Sequence, residues 1–263
     1  MKKSLVLVAF FTMSQSAFAH LSYTGRAFGT FSGLENASAT ISNQAVSGNY
    51  AWADAADGNL GDSHKSKAFS FSLLNDAWVT FSVIANPSAT ASSVDGLIPG
   101  FSIYSGLAAL TPFPAPQTSA DYDTSAASLA WRSEWAQANI GPGSDFSATN
   151  GSWNAIGSWK IGGDGDPSGV ESALTSFTYQ GSVSSTTHSV TGTFFLSAGD
   201  YSIFVGGNDI ANKSDVLNSV RNYGLSATLS VAAVPEPTSY ALMLAGLSFL
   251  AWQVRRSSKA TAH

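Results

Sequence analysis

The feature that most constrains the fold is a period-two alternation of apolar and small polar residues that recurs through the middle of the chain. Phe69, Phe71 and Leu73 alternate with Ser70 and Ser72. After Asn75-Asp76, Val79, Phe81 and Val83 alternate with Thr80 and Ser82. Successive side chains of a strand point to opposite faces, so each run predicts a strand with one buried face, and the pair predicts a hairpin. Phe101 and Ile103 flank Ser102 after the Pro99-Gly100 break. Four more strands are predicted over 174–183, 190–196, 201–205 and 225–231, with Ala198-Gly199-Asp200 as a turn. Seven or more strands with little helix predict an all-β fold, an antiparallel β-sandwich of jelly-roll type.

The ends follow other rules. Lys2 and Lys3, an apolar run from Leu5 to Phe11 and Ala17-Phe18-Ala19 read as a secretory signal peptide over 1–19, cleaved by signal peptidase before His20. At the other end, residues 240–254 are apolar and precede Arg255, Arg256 and Lys259. Fifteen residues rise about 22 Å as a helix, the lower edge of a bilayer core, and basic residues stay on the cytoplasmic side. This predicts a single transmembrane helix over 240–254. Just before it, Pro235 and Pro237 break helix and strand alike, leaving Val234–Thr238 extended and accessible.

Pro235-Glu236-Pro237, an apolar helix containing Ala245-Gly246-Leu247, and terminal Arg255-Arg256 together resemble a PEP-CTERM sorting domain. The resemblance covers roughly the last thirty residues, 234–263. It implies recognition by exosortase, a membrane-embedded processing enzyme of Gram-negative bacteria that make exopolysaccharide. The chain would be held transiently at the inner membrane and delivered to the cell surface or the biofilm matrix.

Between the ends lies one expected β-sandwich domain, 20–233, long enough for a single core. From His20 to Val234 the chain carries 7 Lys and Arg against 16 Asp and Glu, a net charge of 7 − 16 = −9. An acidic body argues against nucleic acid and anionic lipid as partners. No cysteine is present, which excludes disulfides, thiolate zinc, Cys nucleophiles and Fe–S clusters. A segment rich in Trp and Gly, about 108–170, interrupts the strands as an insertion, with one helix expected over 124–139.

Three groups of residues are candidates for chemistry. Cleavage before His20 would free an α-amine beside an imidazole, a pair that chelates Cu2+, with His64 and His188 available as further ligands. Lytic polysaccharide monooxygenases and some periplasmic copper proteins use a similar arrangement. Asp164 and Asp166, in Gly162-Gly163-Asp164-Gly165-Asp166, offer oxygen ligands for Ca2+ but lack the spacing of an EF-hand loop. Asp54, Asp57 and Asp62 form a looser acidic group, and either group serves equally as a solvated turn. Trp131, Trp135, Trp153 and Trp159 lie in the insertion, with Trp52 and Trp78 nearer the N-terminus. Their faces suit stacking on sugar rings, or burial as anchors of the insertion. No Gly-x-Ser-x-Gly, His-Glu-x-x-His or phosphate-cradling loop is present. The expected role is therefore non-catalytic: polysaccharide binding, a structural adhesin of the matrix without a discrete ligand, or a copper protein built on His20.

Overall fold

The computed structural model describes residues 22–52, 61–62, 65–107, 137, 142, 152–153, 155–161, 175–212, 215–234 and 242–252. Among them run thirteen strands: β1 (Ala27–Phe31), β2 (Ala37–Ser47), β3 (Gly61–Asp62), β4 (Lys67–Leu73), β5 (Ala77–Ala85), β6 (Ser93–Val94), β7 (Pro99–Ser105), β8 (Ser152–Trp153), β9 (Trp159–Ile161), β10 (Thr175–Ser184), β11 (Ser189–Leu196), β12 (Gly199–Gly207) and β13 (Asn222–Ala233). A short helix, α1 (Val216–Val220), precedes β13, and residues 242–252 are helical.

Eight strands build two antiparallel sheets, ordered β4-β12-β7-β10 and β11-β5-β13-β2. The chain passes from one sheet to the other at every step among these eight except β7 to β10. Two Greek keys interlocked in this way are a jelly roll, the architecture that the alternation predicts. Strand β1 extends the first sheet in parallel beside β4, β9 extends it antiparallel beside β10, and β6 adds a short parallel pairing to the start of β13. Strands β3 and β8 pair separately.

The predicted strands are present, but the hairpin over 69–83 is not. Strand β4 pairs with β1 and β12, whereas β5 pairs with β11 and β13. Residues 74–76 instead carry the chain across the sandwich. Phe69, Phe71 and Leu73 therefore meet Val79, Phe81 and Val83 from the opposite sheet, with the Phe69 and Phe81 rings 6.1 Å apart. Alternation identifies which side chains enter the core but not which sheet a strand joins. The predicted turn at 198–200 is shorter than expected, because Gly199 and Asp200 already belong to β12.

The main core fills the space between the sheets. Phe81, Phe101, Ile103, Ile203, Leu225 and Leu229 are fully buried there, each side chain of this size contributing about 2 kcal/mol. With no disulfide available, this burial carries the stability.

A second core lies on the outer side of the first sheet. Tyr23, Trp52, Ala155 and Phe177 pack over Ala68, Tyr104 and Phe204. This covering buries both faces of β4, β7 and β12, where alternation predicts only one. Ser102 and Ser202, buried in β7 and β12, are satisfied locally. Trp52 Nε1 donates to Ser102 Oγ at 2.8 Å, Ser102 Oγ donates to the Ala155 carbonyl, and Ser202 Oγ donates to the Gly106 carbonyl at 2.6 Å. Within the predicted insertion, residues 152–153 and 155–161 return across this face, and β9 joins the sheet. Apart from Gln137, which is helical, the predicted helix over 124–139 lies outside the described residues.

Candidate functional site

The covered face of the first sheet leaves the outer face of the second, β11-β5-β13-β2, open to solvent. Register places its outward residues in cross-strand rows. One row runs Ser38, Ser230, Thr80, Thr193, and the next runs Thr40, Thr228, Ser82, Thr191. Neighbours within each row are paired by hydroxyl contacts: Ser38 with Ser230 at 2.9 Å, Thr40 with Thr228 at 2.9 Å, Thr80 with Thr193 at 2.8 Å and Ser82 with Thr191 at 2.9 Å. A hydroxyl has one proton and two lone pairs, so the Thr40–Thr228, Thr80–Thr193 and Ser82–Thr191 pairs each keep a donor and spare lone pairs for an outside partner. Ser38 Oγ also donates to the Leu229 carbonyl at 3.3 Å, and its pair keeps lone pairs only. Strand spacing and the two-residue repeat set these groups on a grid of about 4.8 by 6.8 Å.

The row nearest the end of β13 is different in kind. It places Ala232 beside Trp78 and Trp78 opposite Phe195. The two rings meet edge to face with centroids 5.4 Å apart, and both are about half exposed. A shallow depression of about 410 Å³ lies next to them, lined by Asn36, Ser38, Thr80, Ser230 and Ala232. None of the residues in these three rows is charged. The site is thus a grid of neutral hydroxyls bounded by an aromatic edge. It offers hydrogen bonds and an apolar ring surface.

The opposite end of the sandwich holds a polar depression of about 320 Å³ that gathers Asp95, Asp209 and Asp215 with Asn49, Asn212 and Asn218. Its groups are engaged with the protein. Asn49 Nδ2 donates to the Gly96 carbonyl at 3.0 Å and its Oδ1 accepts from Ile98 N–H at 3.0 Å. Asn212 Nδ2 donates to Asp209 Oδ1 at 2.9 Å, and Asp215 Oδ1 caps α1 by accepting from Leu217 N–H at 2.9 Å. Among the described residues no group of three or more His, Asp or Glu side chains is arranged to hold a metal ion.

The residues singled out from sequence fall in several places. His188 lies in the turn before β11, exposed, with Nδ1 3.0 Å from the Leu97 carbonyl. A carbonyl only accepts, so Nδ1 carries the proton in this contact, and in the neutral imidazole Nε2 is then the nitrogen with the lone pair. Trp153 stands on β8 and Trp159 on β9. His20, His64, Asp164, Asp166, Trp131 and Trp135 lie outside the described residues, as do Ala17, Ala19, Pro235, Glu236, Pro237, Arg255 and Arg256. Of the tryptophans nearer the N-terminus, Trp52 is an anchor of the second core and Trp78 is exposed. The hydroxyl rows escaped sequence reasoning because each strand contributes only two or three Ser or Thr residues. Only the register joins them, although the outward parity of 226–230 and 80–82 was the signal available.

Residues 233–257 match the PEP-CTERM protein-sorting motif. The chain carries this sorting tail at its C-terminus, the mark of an exported protein of the kind processed by exosortase. Among the described residues no helix is long and apolar enough to cross a membrane. No curated protein matches the chain. Among solved structures it is similar to CorA, a surface-associated copper-binding protein important in copper acquisition by Methylomicrobium album BG8. That likeness has 13% identity and a TM-score of 0.40, and covers 82% of this chain and 99% of that one. It is also similar to the secreted protein MopE of Methylococcus capsulatus, in which an oxidised tryptophan facilitates copper binding. There the identity is 12% and the TM-score 0.37, covering 80% of this chain and 87% of that one. Likenesses at these scores transfer neither a metal site nor a role.

Proposed function

We propose that the body of this protein is a non-catalytic extracellular module that holds a neutral polysaccharide on the outer face of β11-β5-β13-β2. The observation that carries this reading is the pairing of an uncharged hydroxyl grid with the exposed Trp78–Phe195 edge on one open face. Sugar hydroxyls match the spare donors and lone pairs of the rows, and the apolar face of a pyranose ring stacks on an indole. The net charge of −9 over residues 20–234 disfavours an acidic polymer, which selects a neutral one. The sorting motif at the C-terminus supports an extracellular setting for such a module.

The test is co-sedimentation of the mature body with insoluble neutral polysaccharide from the producing bacterium, comparing wild type with Thr80→Val and Thr191→Val together. The double variant keeps the strands and removes two hydroxyls of adjacent rows, so weaker retention with an unchanged melting temperature supports the reading. Absence of retention, with self-association of the body instead, would favour a matrix adhesin without a discrete ligand.

Copper held at a mature N-terminal His20 is a second reading, favoured by one observation: His188 is exposed, with Nδ1 committed to Leu97 and Nε2 available as a ligand. Electron paramagnetic resonance of the copper-loaded mature protein tests it. A spectrum identical in His188→Ala removes His188 from the site.

A further inference from the structure

The exposed large apolar side chains of the body lie at its two ends: Ile84, Val216, Leu217 and Val220 at the α1 end, and a second group where the sorting tail departs, which the tail's short connection singles out. Strand β13 is central in its sheet and ends at Ala233, where the sorting motif begins. At that end of the sandwich lie Leu34 in the turn after β1, Leu74 in the turn after β4, Leu107 just beyond β7, Trp78 near the start of β5, Phe195 near the end of β11, and Val234. All are exposed, Leu34 and Leu74 by 66% and 64%. Single exposed apolar residues are ordinary, but a rim of them from six segments marks an interaction surface.

The rim is held together by the protein itself. Leu74 N–H donates to the Phe31 carbonyl at 3.0 Å, and Asn75 Nδ2 donates to the Ser32 carbonyl at 2.8 Å. Gly33, at φ 76°, allows this contact, since a Cβ there would stand 2.6 Å from the Asn75 carbonyl oxygen. Ala198 N–H donates to Asp76 Oδ1 at 2.9 Å, Gly106 N–H donates to the Asp200 carbonyl at 2.9 Å, and Ala233 N–H donates to Asn36 Oδ1 at 3.4 Å. The leucines therefore project from interlocked turns.

Seven residues, 235–241, separate Val234 from the apolar helical stretch 242–252. Even fully extended, the eight steps from 234 to 242 reach only about 27 Å. While the apolar tail is held in a bilayer, this end of the body is confined to the neighbourhood of its surface. Leucine, tryptophan and phenylalanine partition into the interfacial zone of a membrane, whereas Glu35, Asp76 and Asp200 at the same end favour a zwitterionic surface over an anionic one. We propose that, before its tail is removed, the protein rests on the bilayer through the Leu34–Leu74–Trp78–Phe195 rim, upright with α1 pointing away. The inference rests on the sorting tail. It shares Trp78 and Phe195 with the polysaccharide reading, which concerns the protein after the tail is removed, and the test below reads Leu74, which that reading does not use. Removal of the tail then frees the rim, since so few shallow side chains anchor weakly without a second attachment.

The absence of cysteine makes the test clean. Full-length Leu74→Cys and Val216→Cys variants, each spin-labelled, are reconstituted in phosphatidylcholine vesicles. Flotation first reports whether the chain is held; failure to float would mean that the tail does not anchor it and would overturn the proposal at its premise. For floating protein, the label at Leu74 is expected to be severalfold less accessible to an aqueous nickel chelate than the label at Val216, at the opposite end. Equal accessibility of the two labels would overturn the rim itself while leaving the tail intact.

Discussion

Trp78 and Phe195 face each other across the β5–β11 pair, edge to face at 5.4 Å, and remain 46% and 48% exposed. Aromatic rings of that size ordinarily end inside a jelly roll, as Phe81 and Phe101 do in this one. Kept at the surface beside a grid of hydroxyls, they are best understood as a platform. Trp78→Ala should weaken polysaccharide retention by about 1 kcal/mol, roughly fivefold in affinity, while barely moving the melting temperature. Equal loss of binding and stability would make the ring pair a structural element instead.

The opposite end of the sandwich should be far less tolerant. Asn49 is buried, and its amide satisfies the Gly96 carbonyl and the Ile98 N–H. Asn49→Ala leaves both groups unpaired, and denaturant unfolding should show a loss of about 2–4 kcal/mol. Gly207 stands against the same residue, and an added Cβ would lie 2.3 Å from Asn49 Cα. Gly207→Ala is expected to cost about 3 kcal/mol or more, because backbone on both sides has to move.

Alkaline pH provides an independent probe of the two cores. Burial raises the Tyr104 hydroxyl well above its usual range, and raises Tyr201 and Tyr223 as well, with nearby carboxylates adding to the effect on those two. The folded state therefore holds these protons after the unfolded chain has lost them. Their contribution is complete below the ordinary tyrosine pKa, and stability falls as pH climbs above about 10. Lys67 acts in the opposite sense and at lower pH. Burial and the neighbouring Arg26 lower it in the folded state, so its penalty is relieved as pH climbs toward the ordinary lysine value, before the tyrosine decline sets in. Tyr104→Phe should flatten the alkaline decline measured by thermal melting from pH 8 to 11. An unchanged slope would show that Tyr104 does not carry it.

Much of the fold was legible because its inward faces are strongly apolar. Leu225, Ala227, Leu229 and Val231 alternate with Ser and Thr, and they are buried as predicted. What alternation lacks is pairing information. Phe69–Leu73 and Val79–Val83 look like a hairpin in sequence, yet the turn at 74–76 crosses between sheets, because both rows serve one core from opposite sides. Burial of the second face was equally hidden. Ser102 alternates with Phe101 and Ile103 and so falls on the face opposite the main core, yet that face is buried too: Trp52 bonds its hydroxyl inside the second core, as Tyr23 does that of Ser202. The hydroxyl grid required register across four strands separated by up to 192 positions, as Ser38 and Ser230 are. The sorting tail needed no register at all, since its signal is local and linear.

The most direct measurement is a depletion isotherm of the mature body against neutral polysaccharide isolated from the producing bacterium, with wild type beside a Trp78→Ala and Thr80→Val double variant. Hydrogen bonding and stacking predict saturable binding that persists in about 0.5 M salt, where exposed charges are screened, and that falls at least about tenfold in the variant. No depletion of the wild type, or equal depletion of the two proteins, would contradict the account.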